Sequence, residues 1–187
     1  MRLLNIFLLL WYPVLGPPVL AGEKPSPETY SNDEVLREIE QFFGESAEGI
    51  SEIVSKAFDD HGRPNAYIAG NEAGGAIGVG LRYGEGTLKT KSGITKPVYW
   101  QGPSIGFDLG ANASKVFALT YNLPDTHALY QRYPGVEGSV YFVGGVGMNY
   151  LQDGDTVIAP IRLGAGWRQG VNIGYMHFTR DKTLNPL

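Results

Sequence analysis

A mainly β protein is what this sequence predicts: a small, glycine-rich antiparallel β-barrel of roughly 8–10 strands, behind one or two N-terminal α-helices. Three observations carry that expectation. Helical periodicity stops at Pro64. From there on, short runs of β-branched and aromatic residues alternate with turn residues. Finally, 21 of the 26 glycines fall between Gly70 and Gly174. Several of these sit inside the apolar runs, among them Gly78, Gly80, Gly106, Gly144, Gly145, Gly147 and Gly174. An interior glycine weakens a strand, so it needs a reason, and sharp coiling of a small sheet is one.

The first element is not part of the barrel. Arg2 gives the chain a basic start, and LLNIFLLLWYPVLGPPVLA then carries no charge as far as Ala21. Val19-Leu20-Ala21 is a small-x-small cleavage pattern, and charge begins at Glu23. Residues 1–21 therefore read as a secretory signal peptide. Pro13, Pro17 and Pro18 interrupt the run and argue against an uncleaved spanning helix of about 20 residues. No transmembrane anchor is expected once the signal is removed. Residues 22–30, GEKPSPETY, read as a polar linker. The chain has no cysteine, so an exported form must rely on packing and hydrogen bonding without disulfides.

Residues 31–62 form the helical segment. SNDE at Ser31–Glu34 is a capping box, in which each side chain can satisfy the other residue's amide. Val35, Leu36, Ile39, Phe42 and Phe43 then paint one helical face, and Gly44 ends it. A second helix is expected from Ser46, with Ile50, Ile53, Val54, Ala57 and Phe58 on one side and Gly62 and Pro64 as its stop. Both helices are expected to cover a sheet face or plug a barrel end. Residues 63–187 form the barrel domain, with strand candidates at 66–72, 75–83, 86–91, 98–101, 104–110, 115–121, 139–150, 157–163 and 171–179.

Composition and motifs exclude several functions. A formal net charge of −4 without a basic stripe argues against nucleic-acid binding. His61, His127 and His177 are too scattered to seed a metal site, so no metal and no cofactor are expected. Gly102-Pro-Ser-Ile-Gly106 matches the G-x-S-x-G pattern of a nucleophile elbow. That elbow needs a helix after the serine, whereas Ile105, Phe107 and Leu109 alternate with period two, which is a strand. Asp153 and Asp155 in QDGDT supply too few oxygen ligands for a calcium loop and read as a hairpin turn.

GRPNAYIAGNEAGGAIGVGLRYGEGTL, VYWQGPSIGFDLGANASKVFALTYNL, YPGVEGSVYFVGGVGMNY and APIRLGAGWRQGVNIGYMHFTRDKTLNP together resemble the envelope integrity protein A (EipA) family of alphaproteobacteria, first known as a domain of unknown function. The resemblance runs from about Asp59 to the C-terminus; RYGEG and WQGPSIGFD are its most specific parts. It implies a soluble periplasmic protein, a small β-barrel with helical N-terminal decoration, and a role in envelope integrity linked to cell division. It implies no enzymatic activity. In texture the glycine-rich strands are also similar to the SYLF lipid-binding domain.

Three functions follow from these residues. The first is a non-enzymatic module binding a lipid, a glycan or a cell-wall protein. Its candidate contacts are Arg82, Tyr83 and Glu85 around one glycine turn, Tyr99, Trp100 and Asp108, and Trp167 with Arg168 in a second glycine-flanked stretch. Aromatic faces flanked by polar groups suit sugar or headgroup recognition. The second is an enzyme on envelope polymers, for which Glu85 and Asp108 are the carboxylate pair to test. The third is an integral outer-membrane barrel, against which SVYFVGGVGM speaks because it lacks a polar lumen face.

Overall fold

Ser31 starts the first helix. In the computed structural model, residues 28–44, 48–108, 114–163 and 174–183 are described, with backbone only at 48, 75–79 and 104–108. The Ser31 hydroxyl accepts from the Glu34 amide at 3.3 Å, and the Glu34 carboxylate accepts from the Ser31 amide at 2.8 Å. This is the capping box that SNDE encodes. Helix α1 spans Asn32–Phe43 and buries Val35, Ile39 and Phe43. Gly44 ends it in the left-handed region at φ 78°, donating to the Glu40 carbonyl at 2.8 Å. Helix α2 spans Glu48–His61, and Gly62 at φ +73° stops it. The Ser46 start expected for it lies outside the described residues.

Nine strands are present among the described residues: β1 Ala66–Thr90, β2 Thr95–Asp108, β3 Ser114–Tyr121, β4 Arg132–Pro134, β5 Tyr141–Val143, β6 Val146–Met148, β7 Leu151–Asp153, β8 Thr156–Leu163 and β9 Tyr175–Thr179. All pairings are antiparallel. The path runs β4-β9-β2-β1-β3-β8-β6-β5, with β7 also on β8. Just after β4, Gly135 bridges Leu151 of β7, and the Val136 amide donates to the Tyr150 carbonyl at 2.9 Å. The sheet thus curls until its first strand meets β7, which gives the barrel-like form.

Period two sorts the side chains into two cores. Ala66, Ile68, Val98, Trp100, Val116, Ala118, Ile158, Met176 and Phe178 point inward and fill the barrel. Their neighbours Tyr67, Phe117, Leu119, Tyr121, Val157, Ala159 and Ile161 point outward and pack against both helices. Both faces of β3 and β8 are therefore buried. Three tyrosines tie the helices down: Tyr67 donates to the Glu38 carboxylate, Tyr121 to the Ala57 carbonyl at 3.3 Å, and Tyr150 to the Asp60 carboxylate at 2.7 Å. A buried phenol keeps its ring in the core and its hydroxyl on a partner.

The strand boundaries differ from the expected ones where glycine was read as punctuation. The candidates 66–72, 75–83 and 86–91 form one strand, β1, which ends at Thr90, and 98–101 merges with 104–108 into β2, residues 109–110 lying outside the described residues. Conversely, 139–150 is broken: Gly144 and Gly145, at φ 54° and 82°, make the turn of the β5–β6 hairpin. Asp153-Gly154-Asp155 is the expected hairpin turn, between β7 and β8. Strand β4, three residues ending at Pro134, carried no sequence pattern of its own.

The 25 residues of β1 do not run straight. Gly70 and Gly86, towards its two ends, lie backbone to backbone. A Cβ on Gly70 would sit 2.6 Å from the Gly86 Cα, and one on Gly86 would sit 2.8 Å from the Gly70 Cα. No side chain fits there, and β1 can fold back on itself only because none is present. At Gly84 an added Cβ would fall inside the Trp100 indole. Gly84→Ala is accordingly expected to destabilise the fold by about 1–3 kcal/mol through overpacking. The urea unfolding midpoint measures that cost, and near-ultraviolet circular dichroism reports whether the indole has been pushed aside.

Candidate functional site

Inward positions of β1 alternate through Ala66, Ile68, Gly70 and Glu72, and those of β8 through Ile158, Pro160 and Arg162. The same period that fills the barrel with apolar side chains therefore carries a carboxylate and a guanidinium into it. Arg162 donates through Nε to Glu72 Oε1 at 2.6 Å and through Nη2 to Oε2 at 3.1 Å. Arg82 Nη1 reaches Oε1 at 3.4 Å, and the Trp100 indole N–H donates to Oε2 at 3.2 Å. Arg162 is 0 % exposed and Glu72 is 6 % exposed. Burial by itself pushes the Glu72 carboxyl up. The charges of Arg162 and Arg82, with the bonds from Arg162 and Trp100, outweigh it and hold the group below its ordinary value. A forked Arg–carboxylate pair is the strong geometry for such a contact.

Above this cluster lies a cleft of about 270 Å³, lined among others by Asn71, Tyr83, Glu85, Tyr99, Gln101 and Lys182. Register builds it. Tyr83 faces Gln101, Gly84 faces Trp100 and Glu85 faces Tyr99 across the β1–β2 ladder, while Tyr99 faces Thr179 of β9. Glu72 and Trp100 reach the cleft from below, past Gly84. The segment after β9 folds over one side, where Lys182 donates to Glu85 Oε2 at 3.2 Å. Both partners are well exposed, so this pair contributes little to stability.

The sequence candidates separate clearly. Tyr83, Glu85, Tyr99 and Trp100 come together at the cleft. Two of the eight are corrected from surface to interior. Arg82 is buried on the Glu72 carboxylate, and Trp100, expected to add aromatic surface, is 2 % exposed in the barrel core. Both turn inward because their positions share the phase of Leu88 and Val98. Asp108 pairs with Ala76, away from Glu85 along the same ladder, and its side chain lies outside the described residues. Trp167 and Arg168 also lie outside them. Ser104 pairs with Gly80 in the middle of β2, so a strand continues where an elbow needs a helix. Among the described residues, no three of His, Asp and Glu converge where a metal could sit.

Sequence reasoning missed Glu72, Arg162 and Lys182. For the first two the signal was available: AYIAGNE and VIAPIRL each carry one charge, Glu72 and Arg162, in the same phase as inward apolar residues. Lys182 reaches Glu85 from the far end of the chain, and no local pattern reports such a contact.

A family model, envelope integrity protein A, matches residues 28–187. The chain belongs to the EipA family. A solved structure from Brucella abortus, described as a beta-barrel-like, uncharacterized protein, shares 48% sequence identity at a TM-score of 0.78, covering 85% of this chain and 99% of that one. No curated protein matches. The family is thus named for the integrity of the cell envelope, and neither match points to an enzymatic family. Among the described residues, no helix is long and apolar enough to cross a membrane.

In this EipA protein, Glu72→Ala strands the buried Arg162 without its carboxylate, and an expected loss of about 3–5 kcal/mol follows from an uncompensated interior charge. Acid should act on the same bond. A carboxyl held below its unfolded value contributes stability fully above 4.5 and loses it as the pH falls through the lower folded value. Urea midpoints taken from neutral pH down to about pH 2 should drop across that acidic window. A Glu72→Gln variant should show a shallower drop.

Proposed function

We propose that this chain is a soluble periplasmic protein, without catalytic activity, that maintains the cell envelope in connection with cell division by binding an envelope component in the Tyr83–Tyr99 cleft. One observation carries the reading. Two half-buried tyrosines and a ring of amide, hydroxyl and charged groups converge on one concavity whose base is a buried, charge-locked tryptophan. Concave, aromatic-lined sites with a few converging polar groups are where small ligands bind. The signal-like residues 1–21 support export, and the family's name supports the envelope role.

Other features favour binding in water over insertion in a bilayer. The outward side chains of β3 and β8 are covered by helices that carry their own polar faces. A membrane barrel would instead turn those outward positions towards lipid. Catalysis on a glycan would need two carboxylates flanking one bond, and the register sets Asp108 opposite Ala76 instead of beside Glu85.

The test is genetic. In a strain lacking the gene, a Tyr83→Ala/Tyr99→Ala double variant should be exported and folded, with a parental circular dichroism spectrum. It should nevertheless leave cells about as sensitive to detergent and cell-wall antibiotics as the deletion does. Full protection by the folded variant would remove the cleft from the function.

A further inference from the structure

We propose that the ligand of this cleft is a neutral saccharide unit, a hydroxyl-rich ring that stacks on Tyr83 and Tyr99; this rests on the cleft being the working site. Three features of the cleft point to that class. The first is its size. At about 270 Å³ the cleft is just smaller than the usual run of small-molecule pockets, with room for a ring and little more.

The second is charge. Glu85 and Lys182 on the rim are paired with each other, and the Glu72 carboxylate below is held by Arg162 and Arg82. The remaining polar lining is neutral: besides the two tyrosines it is Asn71, Gln101, Thr179 and Thr183, which carry amides and hydroxyls. A phosphate or carboxylate headgroup could reach only Lys182 among the lining cations, and would have to sit beside the Glu85 carboxylate that shares it. An acyl chain would strip water from the amides and return no hydrogen bond, a cost of about 1–3 kcal/mol for each group left without a partner. Sugar hydroxyls both donate and accept, so they answer amides and carboxylates alike.

The third is the spacing of the rings. Tyr83 faces Gln101 across the ladder, so Tyr99, two residues along, is its diagonal neighbour on the same face. Diagonal positions of an antiparallel pair lie about 7–8 Å apart, within reach of long side chains. Both tyrosines can therefore touch one ring, presenting aromatic surface to its C–H face and hydroxyls at its edge. The Trp100 indole is fixed beneath by its bond to Glu72 and by the bare backbone of Gly84. A floor held in this way loses little freedom on binding, which favours a small ligand of few contacts.

The experiment titrates the purified, signal-cleaved protein with an N-acetylglucosamine disaccharide, a neutral hexose disaccharide, and vesicles of phosphatidylethanolamine and phosphatidylglycerol. Nuclear magnetic resonance follows the amides of Tyr83, Glu85, Tyr99 and Gln101. Saturable shifts at these amides with at least one saccharide, and none with vesicles, are expected. Tyr99→Ala should weaken saccharide binding at least about tenfold, which is about 1.4 kcal/mol. Tyr99→Phe, which keeps the stacking face, should stay within about threefold of the parent, less than about 0.7 kcal/mol. Vesicle binding without saccharide binding, or a folded Tyr99→Ala that binds saccharide as the parent does, overturns the proposal. If the double variant abolishes envelope protection while neither saccharide binds, the cleft stands and the sugar falls. If the folded double variant protects fully, both fall.

Discussion

The space inside the barrel is the constraint from which the rest follows. A sheet that curls back on itself this tightly cannot carry a Cβ at every inward position. At Gly70 and Gly86 the two backbones take the space themselves, and at Gly84 the Trp100 indole takes it. The vacated volume then admits side chains too large or too charged for an evenly filled barrel. Trp100 lies flat on the glycine strand, and its N–H points at the Glu72 carboxylate, where Arg162 and Arg82 also end. The glycines and the buried ion cluster are thus two parts of one arrangement: without the first there is no room for the second.

That arrangement explains why the sequence was legible in some places and not in others. Helix α1 could be placed to the residue because its signals are local, Ser31 and Glu34 at one end and Gly44 at the other. The glycine-bent barrel could be recognised because period two and interior glycines both lie on the surface of the sequence. Strand ends could not be placed. A glycine that stops a strand and a glycine that lets a strand continue past a close neighbour look alike until the partner is known; Gly84, against the Trp100 indole, and Gly102, against the Tyr175 carbonyl, are of the second kind. The candidate site shows the same division. Tyr83, Glu85, Tyr99 and Trp100 were singled out one by one for their chemistry, and what brings them together is the long β1–β2 register, which no local pattern reports. Arg82 was placed on the surface because its partner, Glu72, lies on another stretch of β1, and Arg162 comes from β8.

The two walls of the barrel divide the labour. On the wall of β3 and β8, the outward residues form a second core with the helices, so that wall is buried on both faces. The second half of β1, with β2 and β9, carries Tyr83, Tyr99 and Thr179 outward, and among the described residues the chain after β9 folds over one side of them. Helical cover stiffens the first wall, and Arg162 of β8 ties that wall to the second through its bonds to Glu72 of β1, which also accepts from Trp100 of β2.

Rigid and yielding parts meet at the cleft, and their energies differ in kind. Beneath it, the Glu72 cluster is buried, so its bonds are little screened and breaking one leaves a charge stranded. On its rim, the Glu85–Lys182 pair stands in solvent, where attraction is screened and side-chain entropy opposes it. A ligand entering between them would meet a base that does not move and an edge that gives way at almost no cost. Recognition would then rest on the fixed aromatic faces, and the charged rim would only adjust to what the faces select.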